Sequence, residues 1–152
     1  LDRELAPQIE EHRARIVSQI GSGRDGEEAG RRADELLTRI AGGECLRLLG
    51  SVAPNVLSRE LPVLLWSEEQ GAPGAVVSGI VDLLYRDPED GRLVVADYKT
   101  DRVQDDEALA ERARVYEPQV RIYARALQKA LDLNHEPHTE LWFLAADRII
   151  RL

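Results

Sequence analysis

Cysteine, methionine and phenylalanine are nearly missing from this 152-residue chain, which has one Cys, no Met and one Phe. The single thiol, Cys45, cannot close an internal disulfide. It also cannot supply a four-cysteine zinc or iron–sulfur centre, so no iron–sulfur cluster is expected here. On an apolar-patterned helix, a lone cysteine reads as a small core residue. A reducing, cytoplasmic setting fits that usage. No apolar run reaches bilayer length and no leader pattern opens the chain, so no membrane association is expected. No G-x-x-x-x-G-K-[ST] loop is present either, so no nucleotide site is expected. The chain starts at Leu1 and lacks Met throughout, which is the pattern expected of a domain cut from a longer protein.

Positive charge is also in deficit. There are 20 Lys and Arg against 28 Asp and Glu, a net charge of −8. A general nucleic-acid binder carries a net positive field, and this chain does not. A protein that gathers divalent cations on carboxylates is still allowed. Any affinity of such a protein for nucleic acid would come largely from attached domains.

The length suits one domain, spanning residues 1–152. An N-terminal helical part covers 1–50. Leu5, Ile9, Ile16 and Ile20 recur at near-helical spacing over 2–20, and Leu36, Leu37 and Ile40 mark a second helix over 25–41. Gly21-Ser22-Gly23 and Gly42-Gly43 punctuate these helices, and a short third helix fits 44–50. The period then changes. Residues 56–66, 75–86 and 92–99 read as strands, with Pro62 marking an edge or bulge and 67–74 a polar loop. Asp87-Pro88-Glu89-Asp90-Gly91 reads as a turn. Helices are expected over 104–114 and from Glu117 to Leu131, with Pro118 in the first turn of the second and Leu131 on its core face. A closing hairpin turns at Ala146-Asp147. His135 and His138 flank Glu136-Pro137 and read as loop residues.

Two aspartates stand out because they interrupt apolar strands: Asp82 in GIVDLLY and Asp97 in VVADYK. Aspartate is a poor strand former, and burying its charge is costly without a partner. If the intervening turn is centred near residues 89 and 90, Asp82 falls opposite Asp97. Alternation then places Lys99 on the same face. Two close carboxylates repel unless one holds a proton or a cation intervenes. Mg²⁺ or Mn²⁺ suits such oxygen ligands, and the Tyr98 backbone carbonyl can add another. The ion would hold a phosphate and acidify a bound water, with Lys99 orienting that water or neutralising developing charge. The same pattern also fits a plain alternative, a buried Asp–Lys salt bridge with the other Asp capping a bulge.

The ordered set Gly79-Ile80-Val81-Asp82, Val95-Ala96-Asp97-Tyr98-Lys99-Thr100 and Gln119 to Tyr123 resembles the PD-(D/E)XK nuclease domain at the C-terminus of RecB and AddA helicase–nucleases. The tail TELWFLAADRIIRL resembles that domain's closing hairpin. The resemblance implies a restriction-endonuclease-like α/β fold, a central mixed sheet flanked by helices, with the catalytic core over 56–152. It implies a Mg²⁺-dependent deoxyribonuclease, an exonuclease in preference to an endonuclease, acting in double-strand-break repair and recombination. Asp82 and Asp97 would be metal ligands and Lys99 the catalytic lysine. Gln119 and Tyr123 would shape the DNA side of the site, and Glu60 in SRELP would support the metal or the lysine. The family's usual upstream histidine ligand is replaced here by Asp34, which can bind Mg²⁺ with altered preference. The implied partners are DNA, helicase domains of the same chain and a second subunit. The alternative from another class is a catalytically weak or inactive nuclease-fold module that guides DNA or docks a subunit. It is disfavoured because both Asp97 and Lys99 are present.

Overall fold

A computed structural model of the chain describes Arg15, Gln19 and residues 24–67 and 75–152. The expected helix over 2–20 apart from Arg15 and Gln19, the Gly21-Ser22-Gly23 break and the loop over 68–74 lie outside the described residues. In the described part, helix α1 (Arg24–Ala41) and helix α2 (Glu44–Val52) precede a 3₁₀ turn at Ala53–Asn55. Strands β1 (Val56–Ser67), β2 (Ala75–Arg86) and β3 (Leu93–Lys99) follow, then helix α3 (Asp106–Ala130) and strands β4 (His138–Phe143) and β5 (Arg148–Arg151).

The five strands form one sheet in the order β1-β2-β3-β4-β5. Neighbours pair antiparallel except β3 and β4, which run parallel. A parallel pair needs a crossover, and α3 supplies it. The result is the mixed sheet flanked by helices that the sequence implied. Among the described residues, no helix is long and apolar enough to cross a membrane.

Alternation along β3 assigns the two sheet faces. Leu93 and Val95 pack toward α3 with Tyr123, Ala124 and Leu127, while Val94 and Ala96 pack toward α2 with Cys45, Val52 and Trp142. Full burial of each large apolar side chain contributes roughly 1.5–3 kcal/mol. Cys45 is the small core residue its pattern suggested. Burial, seconded by nearby Asp147, pushes its thiol up to about 12. Asp147, in the β4–β5 turn, accepts hydrogen bonds from the backbone N–H groups of Glu44 (2.7 Å) and Cys45 (3.0 Å). It thereby caps α2 from across the fold, and Gly43 leaves room for its carboxylate.

The expectation of two helices after β3 is corrected. One continuous helix runs from Asp106 to Ala130, and Pro118 sits inside it. Asp105 caps its start, its side chain accepting from the Ala108 N–H at 2.8 Å. An internal proline costs about 3 kcal/mol through a lost hydrogen bond and a ring clash. The buried residues on either side, Leu109 and Ala113 before it and Val120 through Leu127 after it, lie against one sheet and hold the helix together across it. Leu131 is also corrected. It lies beyond the helix and is 53% exposed, so it is not a core residue.

Candidate active site

The turn between β2 and β3 sets the register. Asp87 N–H donates to the Arg92 carbonyl, and Gly91 adopts a φ of +75° that glycine accepts without strain. Paired residues from Arg86–Leu93 to Leu83–Ala96 then keep a constant sum of positions. The paired positions end at Leu83–Ala96, one step short of Asp82 and Asp97.

At Asp82 strand β2 changes face. Val81 and Leu84 both belong to the cluster under α3, whereas Leu83 and Tyr85 belong to the opposite one. Strict alternation cannot achieve this, so the strand is twisted at the aspartate. The neighbouring strand is distorted at the same level. Glu60 lies opposite Asp82, between the pairs Arg59–Leu83 and Leu61–Val81, and has a φ of +50°.

Asp82 Oδ2 accepts a hydrogen bond from Tyr98 N–H at 2.6 Å, bridging the end of the β2–β3 ladder. Asp97, 3% exposed, projects toward α3. Its Oδ2 lies 2.6 Å from Lys99 Nζ. Oδ2 is buried, and the ion pair with Lys99 is its polar contact among the described residues. Burial pushes the Asp97 carboxyl above its usual range. Contact with Lys99 opposes that shift, and the Asp82 charge adds to it. Burial, again seconded by Asp82, raises the Tyr98 phenol to about 12.

Helix α3 supplies the rest of the lysine's surroundings. Lys99 Nζ donates to Gln119 Oε1 at 3.0 Å, and Gln119 Nε2 donates to Tyr123 OH at 2.8 Å. Gln119 and Tyr123 are one turn apart on one face, as their spacing requires. Lys99 Nζ also sits 4.1 Å above the centre of the Tyr116 ring, a cation–π contact. Tyr116 in turn donates to Asp101 at 3.0 Å. The sequence reading missed Tyr116, seven residues before Tyr123. Its helical offset from Gln119, three positions, was the available signal.

The structure thus brings Asp82, Asp97, Lys99, Gln119 and Tyr123 into one continuous arrangement. Tyr123 is buried and reaches the site only through Gln119, so it faces the lysine's support and not the surface. Asp34 lies in α1. Neither it nor Glu60 joins Asp82 and Asp97 in a close three-ligand group among the described residues. Both features of the plain alternative are present as well, the Asp97–Lys99 ion pair and an aspartate capping a strand irregularity. What they leave over is the closeness of a second carboxylate, Asp82, to the buried Asp97–Lys99 pair. That donor set fits a hard divalent cation, which takes one or two carboxylates and fills its remaining positions with water or substrate oxygens.

A second acidic group lies at the other end of the sheet. Asp87, Asp90 and His138 have ligand atoms within 4.8 Å of one another. His138 opens β4 and is not a loop residue, and its Nε2 lies 2.8 Å from Asp90 Oδ2. The protein already occupies these carboxylates. Asp87 takes Arg151 and the Glu89 N–H, and Asp90 takes His138 and the Arg92 N–H.

A mixed sheet with a parallel β3–β4 pair and a crossover helix defines an α/β protein of the restriction-endonuclease-like kind. The chain belongs to the PD-(D/E)XK nuclease superfamily, whose profile matches residues 3–150. Comparison with curated proteins gives no significant match.

Proposed function

We propose that this chain is a divalent-metal-dependent deoxyribonuclease domain of the RecB/AddA helicase–nuclease type. The observation that carries the reading is the buried Asp97–Lys99 pair with the Asp82 carboxylate beside it. Asp82, Asp97 and the Tyr98 carbonyl would hold Mg²⁺, or Mn²⁺ in its place. The ion would polarise the scissile phosphate and acidify a water. Lys99 orients that water and offsets charge growing on the phosphate. Gln119 holds the Lys99 ammonium in place, and Tyr123 holds Gln119. Glu60 stands opposite Asp82 and contributes a supporting carboxylate. Asp34 would be a further carboxylate ligand of that ion.

Exonucleolytic cutting within a cytoplasmic helicase–nuclease, with motor domains in the same chain and a second subunit, is the wider context of this reading. A net charge of −8 supports it, since the domain then relies on neighbours for part of its grip on DNA. The alternative, a scaffold of nuclease fold without catalysis, is favoured by one feature, the closure of Lys99 onto Asp97. Incubating the chain with single-stranded and linear duplex DNA labelled at either end, in Mg²⁺, Mn²⁺ or EDTA, tests the proposal. Products that need metal and shorten from an end support it, and intact DNA with either metal contradicts it.

A further inference from the structure

The chain has two lysines, Lys99 at the site and Lys129 in the last turn of α3. A lysine ammonium rides on a flexible four-carbon stem. To act on one phosphate it must be held, and to offset charge there it must not be neutralised. Those demands conflict when the holder is a carboxylate. Asp97 is such a holder, with Oδ2 2.6 Å from Lys99 Nζ. In the proposed function that same carboxylate is also a metal ligand, so it cannot be the lysine's lasting support.

Two uncharged groups on α3 hold the ammonium as well. Gln119 Oε1 accepts from it at 3.0 Å, and the Tyr116 ring presents its face with the centre 4.1 Å from Nζ. Three positions separate the two residues, which makes them neighbours on one helix face. The ring is fixed at both ends. Its hydroxyl meets the Asp101 carboxylate at 3.0 and 3.1 Å, and Asp101 is itself paired with Arg112 at 3.7 Å. Its body rests on Phe143, with ring centres 6.4 Å apart and planes tilted by 52°. An aromatic face attracts a cation more strongly where water is excluded, and the Lys99 side chain is only 14% exposed.

We propose that Tyr116 is a positioning residue for Lys99, its ring face keeping the ammonium in the site while leaving its charge intact. The lysine's role in cleavage rests on the nuclease reading, whereas the contact between ring and ammonium does not. With Asp97 given over to metal binding, Gln119 and the Tyr116 ring still hold Lys99, and the N–H that faced Asp97 is left for the phosphate. Tyr116 acts through the lysine alone. Asp101 acts one step further back, by fixing the ring.

The test begins with NMR of the full chain in EDTA, with ¹³C-labelled lysine. Protons above an aromatic face are shifted upfield, so the Lys99 Cε protons are expected upfield of those of Lys129. Lys129→Arg removes the second signal and so identifies the first. The upfield position should persist in Tyr116→Phe and vanish in Tyr116→Leu, which keeps apolar bulk against Phe143. Single-turnover cleavage in Mg²⁺ over a range of DNA concentrations follows on the same proteins. Tyr116→Leu is expected to lower the maximal rate about tenfold with half-saturating DNA unchanged, and Tyr116→Phe to recover most of the rate. A wild-type Lys99 signal that is not upfield overturns the proposal, whether or not the leucine variant folds. So does a wild-type rate in Tyr116→Leu, a phenylalanine variant as slow as the leucine one, or a loss confined to half-saturating DNA. A wild type with the upfield signal that never cuts in Mg²⁺ or Mn²⁺ sinks the nuclease reading and leaves the hold of Tyr116 on Lys99 standing.

Discussion

The Tyr123 ring occupies the space that a side chain on Gly79 would fill. A Cβ at Gly79 would lie 2.4 Å from Tyr123 Cε1 and 2.4 Å from its hydroxyl. The glycine of β2 is thus the seat of the tyrosine that steadies Gln119.

Gly79→Ala is expected to cost about 1–3 kcal/mol, the usual penalty of overpacking, and to reduce cleavage by displacing the Tyr123–Gln119–Lys99 chain. In a Tyr123→Ala background the same substitution should cost much less, because the clash is gone. Urea titrations of the two single variants and the double variant measure the coupling. Additive costs would mean that the ring does not rest on Gly79.

Glu60 holds a left-handed backbone, a conformation that costs an ordinary residue roughly 1–2 kcal/mol. Glu60→Gly relieves that strain, partly offset by glycine's greater unfolded freedom. Stability is expected to hold or rise by up to about 1 kcal/mol while cleavage falls, because the carboxylate opposite Asp82 is removed. Thermal melts and cleavage rates on the same samples check it. Unchanged cleavage would remove Glu60 from the site.

Buried Asp87 is bonded by Arg151 and by the Glu89 N–H, which together hold its carboxyl below its usual range, Arg151 having the larger effect. A carboxyl lowered on folding stabilises the fold above its unfolded pKa and loses that contribution as pH falls through the folded value. Arg151→Gln should therefore be less stable than wild type by about 1–3 kcal/mol near neutrality. The gap should narrow below about pH 4, as Asp87 protonates. Urea titrations between neutral and acid pH measure it. A gap that is constant with pH would mean that Arg151 acts by packing alone.

Much of this site is legible in the sequence, because strand alternation and turn position are geometric. Asp87 to Gly91 specifies a tight turn, which fixes the β2–β3 register up to Leu83–Ala96, and Lys99 follows Asp97 by period two. Other features depend on contacts far along the chain. The helix continues through Pro118 because the sheet beneath it holds both halves, and no local rule records that support. Asp147 caps α2 across about a hundred positions, and His138 reaches Asp90 only once β4 lies parallel to β3. The sequence assigned Tyr123 to the DNA side, but burial turns it inward to Gln119. Asp34 matches a motif position, yet α1 does not bring it into a three-ligand group with Asp82 and Asp97.

The most direct measurement is single-turnover cleavage of end-labelled DNA by the wild type, Asp97→Ala and Lys99→Ala in Mg²⁺, with Mn²⁺ binding followed by calorimetry on the same proteins. The wild type is expected to cut and bind metal. Asp97→Ala should lose both, and Lys99→Ala should lose cutting by about a hundredfold or more while still binding metal. Full cleavage by either variant, or metal binding that survives in Asp97→Ala, would contradict an active site built on Asp97 and Lys99.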